Sequence, residues 1–160
     1  MDQLTVTIAP EESRAYYEPA LGLYATAIVN EQRCPDVLDI DVFFEALSGS
    51  GLLRLFTCTC GFFGCGGSYV EVICEESAWI WRNRYQPEDE PHLEHMLEDR
   101  EVRFVWSQVR VVASDLLAAL HRVQRDRPEA RLMVAFTGSD LRDRLEQYEQ
   151  QIRAIPHALP

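Results

Sequence analysis

The chain has 160 residues, of which 47% are hydrophobic and 26% are charged, a composition typical of one globular domain with a sizeable core. Its formal net charge of −11 repels the phosphates of nucleic acids and of anionic membranes, so we expect it to bind neither. The sequence shows no apolar run of the roughly 20 residues that a membrane span needs and no secretory signal, which predicts a soluble, cytoplasmic protein.

The first third of the chain predicts two strands and a short helix. Residues 3–9 alternate between apolar and polar side chains, and residues 21–30 form a second strand-like run. Residues 39–48 carry their apolar side chains at helical spacing, and the serines and glycines at 48–51 end that helix.

The centre of the chain predicts antiparallel hairpins, with strands at about 52–60, 65–74, 77–85 and 102–113. The acidic run 86–101 between the last two is interpreted as a solvated loop with a short helix around 91–99.

Two amphipathic helices are predicted near the C-terminus. Ser114 caps the first, which runs to about Arg125, and the second covers 139–153 after a short strand at 131–136. The tail after about 153 is expected to be frayed. The fold class predicted for residues 1–160 is therefore a single α+β domain with a mostly antiparallel sheet.

The stretch CTCGFFGCGG, residues 58–67, predicts a tight hairpin whose loop is 61–64. In that register Arg54 faces Glu71, and in the next hairpin Val72 faces Trp79. Because side chains alternate along a strand, the apolar residues then sort onto one face. The predicted core face holds Leu53, Leu55, Val70, Val72, Cys74, Trp79 and Trp81. The opposite, mixed face holds Arg54, Phe56, Cys58, Cys60, Cys65, Tyr69, Glu71, Ile80, Arg82 and Arg84.

The hairpin cysteines leave three interpretations open. Zinc could be held by Cys58, Cys60 and Cys65, although C-x-C-x4-C departs from the usual C-x2-C spacing. A fourth ligand would come from Cys34, from a carboxylate, or from the pair His92 and His95. The alternatives are a reversible Cys60–Cys65 disulfide and a glycine turn that carries reduced thiols. The two histidines could equally be plain surface residues.

The hairpin also carries a resemblance. The segment from Thr57 to Trp81 is similar to that of an uncharacterised bacterial protein family with a T-C-x-C-G-x-x-G-C hairpin. The matching residues are Thr57, Cys58, Cys60, Gly61, Gly64, Cys65 and Trp81. The resemblance covers about residues 50–120 and implies a shared fold, without an established activity.

Two surface features suggest binding. Phe62 and Phe63 lie at the hairpin tip, where they could form an apolar contact patch. Arg82 and Arg84, on the face of Tyr69, could hold a carboxylate or phosphate, although cross-strand ion pairs such as Arg54 with Glu71 are the simpler interpretation.

The sequence contains none of the common catalytic motifs, so an enzyme is not favoured. The leading hypothesis is an acidic, non-enzymatic binding protein, such as an inhibitor or immunity-type protein that neutralises a basic protein partner. Its acidic contacts would include Glu88, Asp89 and Glu90. The alternatives are a zinc protein and a small-molecule sensor. Exposed strand edges also allow a homodimer.

Overall fold

The computed structural model describes residues 1–12, 21–58, 67–85, 96–134 and 139–156. The described strands are β1 (Leu4–Glu12), β2 (Leu21–Val29), β3 (Gln32–Arg33), β4 (Val37–Leu38), β5 (Gly51–Thr57), β6 (Gly67–Cys74), β7 (Ala78–Tyr85), β8 (Met96–Val105), β9 (Leu132–Val134) and β10 (Ser139–Asp140). The described helices are α1 (Ile40–Glu45), α2 (Trp106–Asp126) and α3 (Leu145–Arg153), with a 3-10 turn at Leu141–Asp143. The prediction of an α+β fold with a mostly antiparallel sheet is confirmed. None of the helices in these ranges is long and apolar enough to span a membrane.

The strands form one sheet in the order β10-β9-β2-β4-β5-β6-β7-β8, and β1 and β3 also pair with β2. Among the described strands, β2 and β9 run parallel and the other pairs run antiparallel. The sheet curls until β8 meets the start of β1. There the N–H of Asp2 donates to the carbonyl of Arg103 at 2.9 Å, and the N–H of Arg103 donates to the Asp2 carboxylate at 2.7 Å.

The hydrophobic core fills the concave side of this curled sheet. Buried side chains from β2, β5, β6, β7 and β8 form one cluster with residues of α1 and α2. Within that cluster, Trp79 packs edge-on against Phe43 and Trp81, and it lies beside Phe104. Ile155 is also buried in the cluster, so the tail that was expected to be frayed is packed at least to that residue.

Both predicted hairpin registers are wrong, yet most of the predicted core face is right. Leu53 pairs with Val70, and Val72 pairs with Trp81, so at these positions the observed pairing differs from the predicted one by two residues. A shift of two keeps every side chain on its face, because the alternation has a period of two. A bulge between Leu53 and Phe56 then changes the alternation, and Phe56 joins the core instead of the mixed face.

The strand predicted at 102–113 is wrong in its second half. β8 ends at Val105, and α2 begins at Trp106, so the expected cap Ser114 lies inside that helix. The valines of this run favour a strand locally. The buried positions, however, follow helical spacing and pack against the core, and tertiary burial decides the outcome. The buried residues of α2 are Trp106, Val109, Ala113, Leu116, Leu117 and Leu120.

Two further boundaries differ. β8 already begins at Met96, so residues 96–99 are strand where a short helix was expected around 91–99. The final helix begins at Leu145 and not at 139, because Ser139 and Asp140 pair with β9 as a short strand. The Asp140 carboxylate accepts from the N–H of Arg142 and so begins the 3-10 turn.

Candidate ligand-binding site

Three tryptophans lie in the concave core. Trp79 lies at the end near α1, which we call the helix end, and Trp81 lies toward the opposite end, which we call the mouth end. At the helix end, near α1, the indole Nε1–H of Trp79 donates to the carbonyl of Ala46 at 2.9 Å. The indole of Trp106 similarly donates to the carbonyl of Glu75 at 2.8 Å. Trp81 is only 5% exposed, yet its Nε1–H has no acceptor in the part of the chain that the structure describes. A buried donor without a partner is an unusual feature of a native core.

Trp81 lines a pocket of about 60 Å³ at the opposite end of β7, which we call the mouth pocket. Its walls are mainly apolar, and its polar residues come from β7 and β8. The lining residues are Val29, Cys34, Phe56, Val70, Trp81, Asn83, Arg84, Glu98, Arg100 and Val102. Since a water-sized group needs at least about 10–15 Å³, the pocket has room for roughly four to six such groups.

A bulge at Asn83 builds the polar side of the mouth pocket. Asn83 has a positive φ of 53°, and the register of β7 shifts around it. Before the bulge Arg82 pairs with Glu71, and after it Arg84 pairs with Val70. Adjacent residues of β6 point to opposite faces, so the bulge places Arg84 on the concave face and leaves Arg82 on the convex one. The structure does not bring the two arginines of the predicted anion site together.

The side chain of Arg84 contacts residues of several other segments beside the mouth pocket. Its Nη2 lies 2.6 Å from a carboxylate oxygen of Asp36, its Nε donates to the hydroxyl of Ser68 at 3.1 Å, and its Nη1 lies 3.7 Å from Glu98. The guanidinium also lies over the ring of Phe56, 5.5 Å from its centroid. The charge of Arg84 is therefore balanced by nearby carboxylates, and its side chain acts as a clamp between strands.

Arg82 belongs to an ion-pair network on the convex face. It lies 2.9 Å from Glu101 and 3.9 Å from Glu71, and Arg103 bridges Glu101 to Glu75. The hydrogen bond with Glu101 raises the pKa of Arg82, and hydrogen bonds from Arg103 and Arg82 lower the pKa of Glu101. All these side chains are about 40% exposed, so solvent screens the network.

Tyr69, the third residue of the predicted anion site, is engaged by a different arginine. Its hydroxyl accepts from Nε of Arg54 at 3.0 Å, and the Arg54 guanidinium lies 5.6 Å from the ring centroid. In the sequence-based register, Arg54 was expected beside Glu71. In the structure Glu71 pairs with Arg82 instead.

Three cysteines lie within the described ranges. Burial raises the pKa of the half-buried Cys34 thiol on the wall of the mouth pocket. Cys74 packs against the core, with Sγ 3.7 Å from the carbonyls of Ala46 and Gly49, as expected of a small core residue. Cys58 is half-buried and follows β5 directly.

Most of the remaining predicted site residues lie outside the described residues, and the predictions about them stay predictions. They are Cys60, Cys65, His92, His95, Phe62, Phe63, Glu88, Asp89 and Glu90. Within the described ranges, no group of three or more His, Cys, Asp or Glu side chains is placed to hold a metal ion.

The mouth pocket was not found from the sequence. One local signal was present, because an asparagine inside a strand-like run is a residue that tolerates positive φ at a bulge. Comparisons with protein-family models, with curated proteins and with solved structures gave no match to this chain. The resemblance of the cysteine hairpin is therefore not supported by any of these comparisons.

Proposed function

We propose that this protein is a non-enzymatic binding protein and that its ligand occupies the mouth pocket. The observation that carries the proposal is the indole N–H of Trp81, which is buried at the pocket wall without an acceptor among the described residues. Leaving such a donor unsatisfied costs roughly 1–3 kcal/mol. A ligand that supplies an acceptor would recover part of this free energy, which favours binding.

The polar groups of the pocket support binding over catalysis. Arg84 is already engaged by Asp36, Ser68 and Glu98, so it is a fixed structural cation. Burial raises the pKa of Cys34, which keeps its thiol protonated and therefore a weak nucleophile. An apolar wall with a few fixed polar groups is typical of ligand pockets.

NMR spectroscopy of isotope-labelled protein tests this proposal. The chain has three tryptophans, so the spectrum should contain three indole N–H signals that tryptophan-to-phenylalanine variants can assign. A screen of small fragments should yield compounds that move the Trp81 signal and leave those of Trp79 and Trp106 in place. A screen whose binders never move the Trp81 signal, or bind a Trp81→Phe variant equally well, would remove the pocket as the ligand site.

A basic protein partner is a second candidate, and the net charge of −11 favours it. The ion-pair network joins two arginines to the three carboxylates of Glu71, Glu75 and Glu101, a net charge of −1, so most of the acidic excess lies on other surfaces. A specific basic partner should remain bound at physiological salt and dissociate progressively as salt is raised. Association that disappears at physiological salt would indicate non-specific charge attraction.

A zinc site at the cysteine hairpin is a further proposal, and the pairing of β4 with β5 supports it because it brings two cysteines to the same end of these strands. Val37 pairs with Thr57 in antiparallel β4 and β5, so Cys34 and Cys58 both lie beyond this pair toward the mouth end. Protein purified without added zinc should then contain about one zinc per chain, and a Cys58→Ser/Cys60→Ser/Cys65→Ser variant should lose it. Wild-type protein without bound metal would leave the hairpin as a glycine-rich turn.

A further inference from the structure

We infer that the mouth pocket selects an uncharged small molecule that has a compact apolar body and one hydrogen-bond acceptor, such as the oxygen of a carbonyl compound. This inference rests on the proposed function and specifies its ligand. It follows from three properties of the pocket: its wall, its free donor and the balance of charge at its polar side.

The wall requires an apolar body. Five side chains from different strands make it, and each is an aliphatic or aromatic group of the core. They are Val29, Phe56, Val70, Trp81 and Val102. A ligand gains roughly 25 cal/mol for each Å² of apolar surface that it buries there, whereas a polar body would lose its hydration without new partners. The volume of about 60 Å³ limits the buried part to a few non-hydrogen atoms.

The free donor requires an acceptor. Trp79 and Trp106 show how this fold satisfies a buried indole, because each donates to a backbone carbonyl at 2.8–2.9 Å. Trp81 lacks the corresponding carbonyl among the described residues. Since an indole N–H donates and never accepts, the complementary ligand atom is an oxygen or nitrogen with a lone pair.

The charges at the polar side favour a neutral ligand. Arg84 lies 2.6 Å from Asp36 and 3.7 Å from Glu98, and Arg100 lies 3.8 Å from Glu98. Two arginines and two carboxylates therefore balance one another, and the described residues of the pocket offer no surplus positive charge to an anion. A carboxylate ligand would be desolvated close to Asp36 and Glu98, which is unfavourable. A cationic head group would leave the indole donor unsatisfied.

Two probes of almost equal shape separate these possibilities. Methyl isopropyl ketone and isobutyrate share the isopropyl group and the carbonyl, and they differ in a methyl group against a charged oxygen. Each is titrated into the intact protein while the three indole N–H signals are followed. We expect the ketone to move the Trp81 signal downfield, as a new hydrogen bond should, and to leave the signals of Trp79 and Trp106 unchanged. We expect isobutyrate to need at least a ten-fold higher concentration for the same shift.

Matched variants check the role of the donor. Trp81→Phe removes the indole N–H at the pocket, and we expect ketone affinity to fall about three- to ten-fold, measured from the backbone amide signals of Val102 and Arg84. Trp106→Phe removes an indole N–H that is already bonded to Glu75, and it should leave ketone affinity unchanged. Because the titration of the wild-type protein needs no variant, a variant that fails to fold does not prevent the test.

The outcomes separate the inference from the proposed function. Tighter binding of isobutyrate at the Trp81 signal would overturn the uncharged ligand and leave the pocket as a binding site. Absence of any Trp81 shift with the ketone up to its solubility limit would also overturn the inferred ligand class. The proposed function itself fails if the binders found in the wider fragment screen never move the Trp81 signal, or if they bind the Trp81→Phe variant equally well.

Discussion

Each end of the concave core contains a buried tryptophan, and the two differ in whether the indole N–H has an acceptor among the described residues. At the helix end, Trp79 has its indole N–H bonded to Ala46, and its ring is enclosed by neighbouring aromatic rings. Two residues further along β7, Trp81 is buried almost as deeply but borders a pocket and lacks an acceptor among the described residues. Burial alone therefore does not distinguish the two positions, whereas the partner of the indole does.

The two ends of the core are covered by different kinds of contact. α1 closes the helix end, because Asp39 caps its start and the carbonyl of its C-cap residue Ala46 accepts from the indole of Trp79. α3 supports α1 from the other side, where Tyr148 stacks on Phe44 at 4.1 Å between ring centroids. At the mouth end, among the described residues, Arg84 holds Asp36, Ser68 and Glu98 together at the edge of the core.

The largest expected effect comes from the close approach of two strands at the mouth end. Gly67 has a φ of +92°, and a Cβ built there would lie 2.5 Å from the carbonyl oxygen of Phe56. Gly67→Ala should therefore lower the free energy of unfolding by roughly 3 kcal/mol or more, measured by urea denaturation.

The control for Gly67 lies at the helix end. At Gly49 an added Cβ would lie 3.4 Å from the carbonyl oxygen of Glu45, which is close to an ordinary contact. Gly49→Ala should change the free energy of unfolding by about 1 kcal/mol or less. Equal costs at both positions would show that the strand approach at Gly67 is less tight than the structure indicates.

The tryptophan comparison predicts the next largest difference. Trp79→Phe leaves the carbonyl of Ala46 with only the weak thiol contact of Cys74 and should cost about 2–4 kcal/mol of unfolding free energy. Trp81→Phe removes a similar volume but no hydrogen bond to a described residue, so it should cost about 1–2 kcal/mol less. Urea denaturation of the two variants gives this difference directly, and a Trp81→Phe variant as unstable as Trp79→Phe would contradict an unsatisfied donor.

A smaller effect is expected where α3 docks against α1. The hydroxyl of Tyr148 donates to the carboxylate of Asp41, and Nε of Arg144 lies 3.6 Å from the same carboxylate. Burial and the neighbouring Asp41 charge raise the pKa of Tyr148 well above that of a free tyrosine. Tyr148→Phe should cost about 1.5–3 kcal/mol, because a hydrogen bond to a charged group is lost.

A double-mutant cycle isolates that contact. If the hydroxyl acts through Asp41, the effects of Tyr148→Phe and Asp41→Asn on the free energy of unfolding should be less than additive. Strictly additive effects would mean that the two side chains contribute independently.

The smallest predicted effect concerns pH and the closure of the sheet. Burial alone would raise the pKa of Asp2, but hydrogen bonds from the Arg103 backbone and the Asn30 side chain lower it below the usual 3.8. A carboxyl group whose pKa is lowered by folding stabilises the protein above about pH 4 and loses that contribution as the pH falls further. Because Asp2 is only partly buried, solvent screens this contribution, and Asp2→Asn should cost only a few tenths of a kcal/mol at neutral pH.

The measurement is the stability difference between wild type and Asp2→Asn at neutral pH and at about pH 3. The difference should shrink in acid, because the wild-type carboxylate becomes protonated there. A difference that does not depend on pH would indicate that Asp2 contributes through packing and not through its charge.

The fold class, most strand positions and most of the core face of the hairpins follow from local patterns in the sequence. Alternation is a local property, so Val70, Val72, Trp79 and Trp81 sort onto one face even when the predicted register is two residues out. The same local reasoning failed at Trp106, since valine-rich residues there favour a strand and only packing against the core makes them helical.

The mouth pocket, in contrast, depends on contacts between residues that are far apart in the chain. Its wall joins residues as distant in sequence as Val29 and Val102, and these meet because the sheet curls until Asp2 reaches Arg103. The bulge at Asn83 then turns Arg84 inward, against the alternation that the sequence predicts. Whether a buried donor such as the Trp81 indole finds an acceptor depends on backbone carbonyls from other elements, whose positions no local pattern specifies.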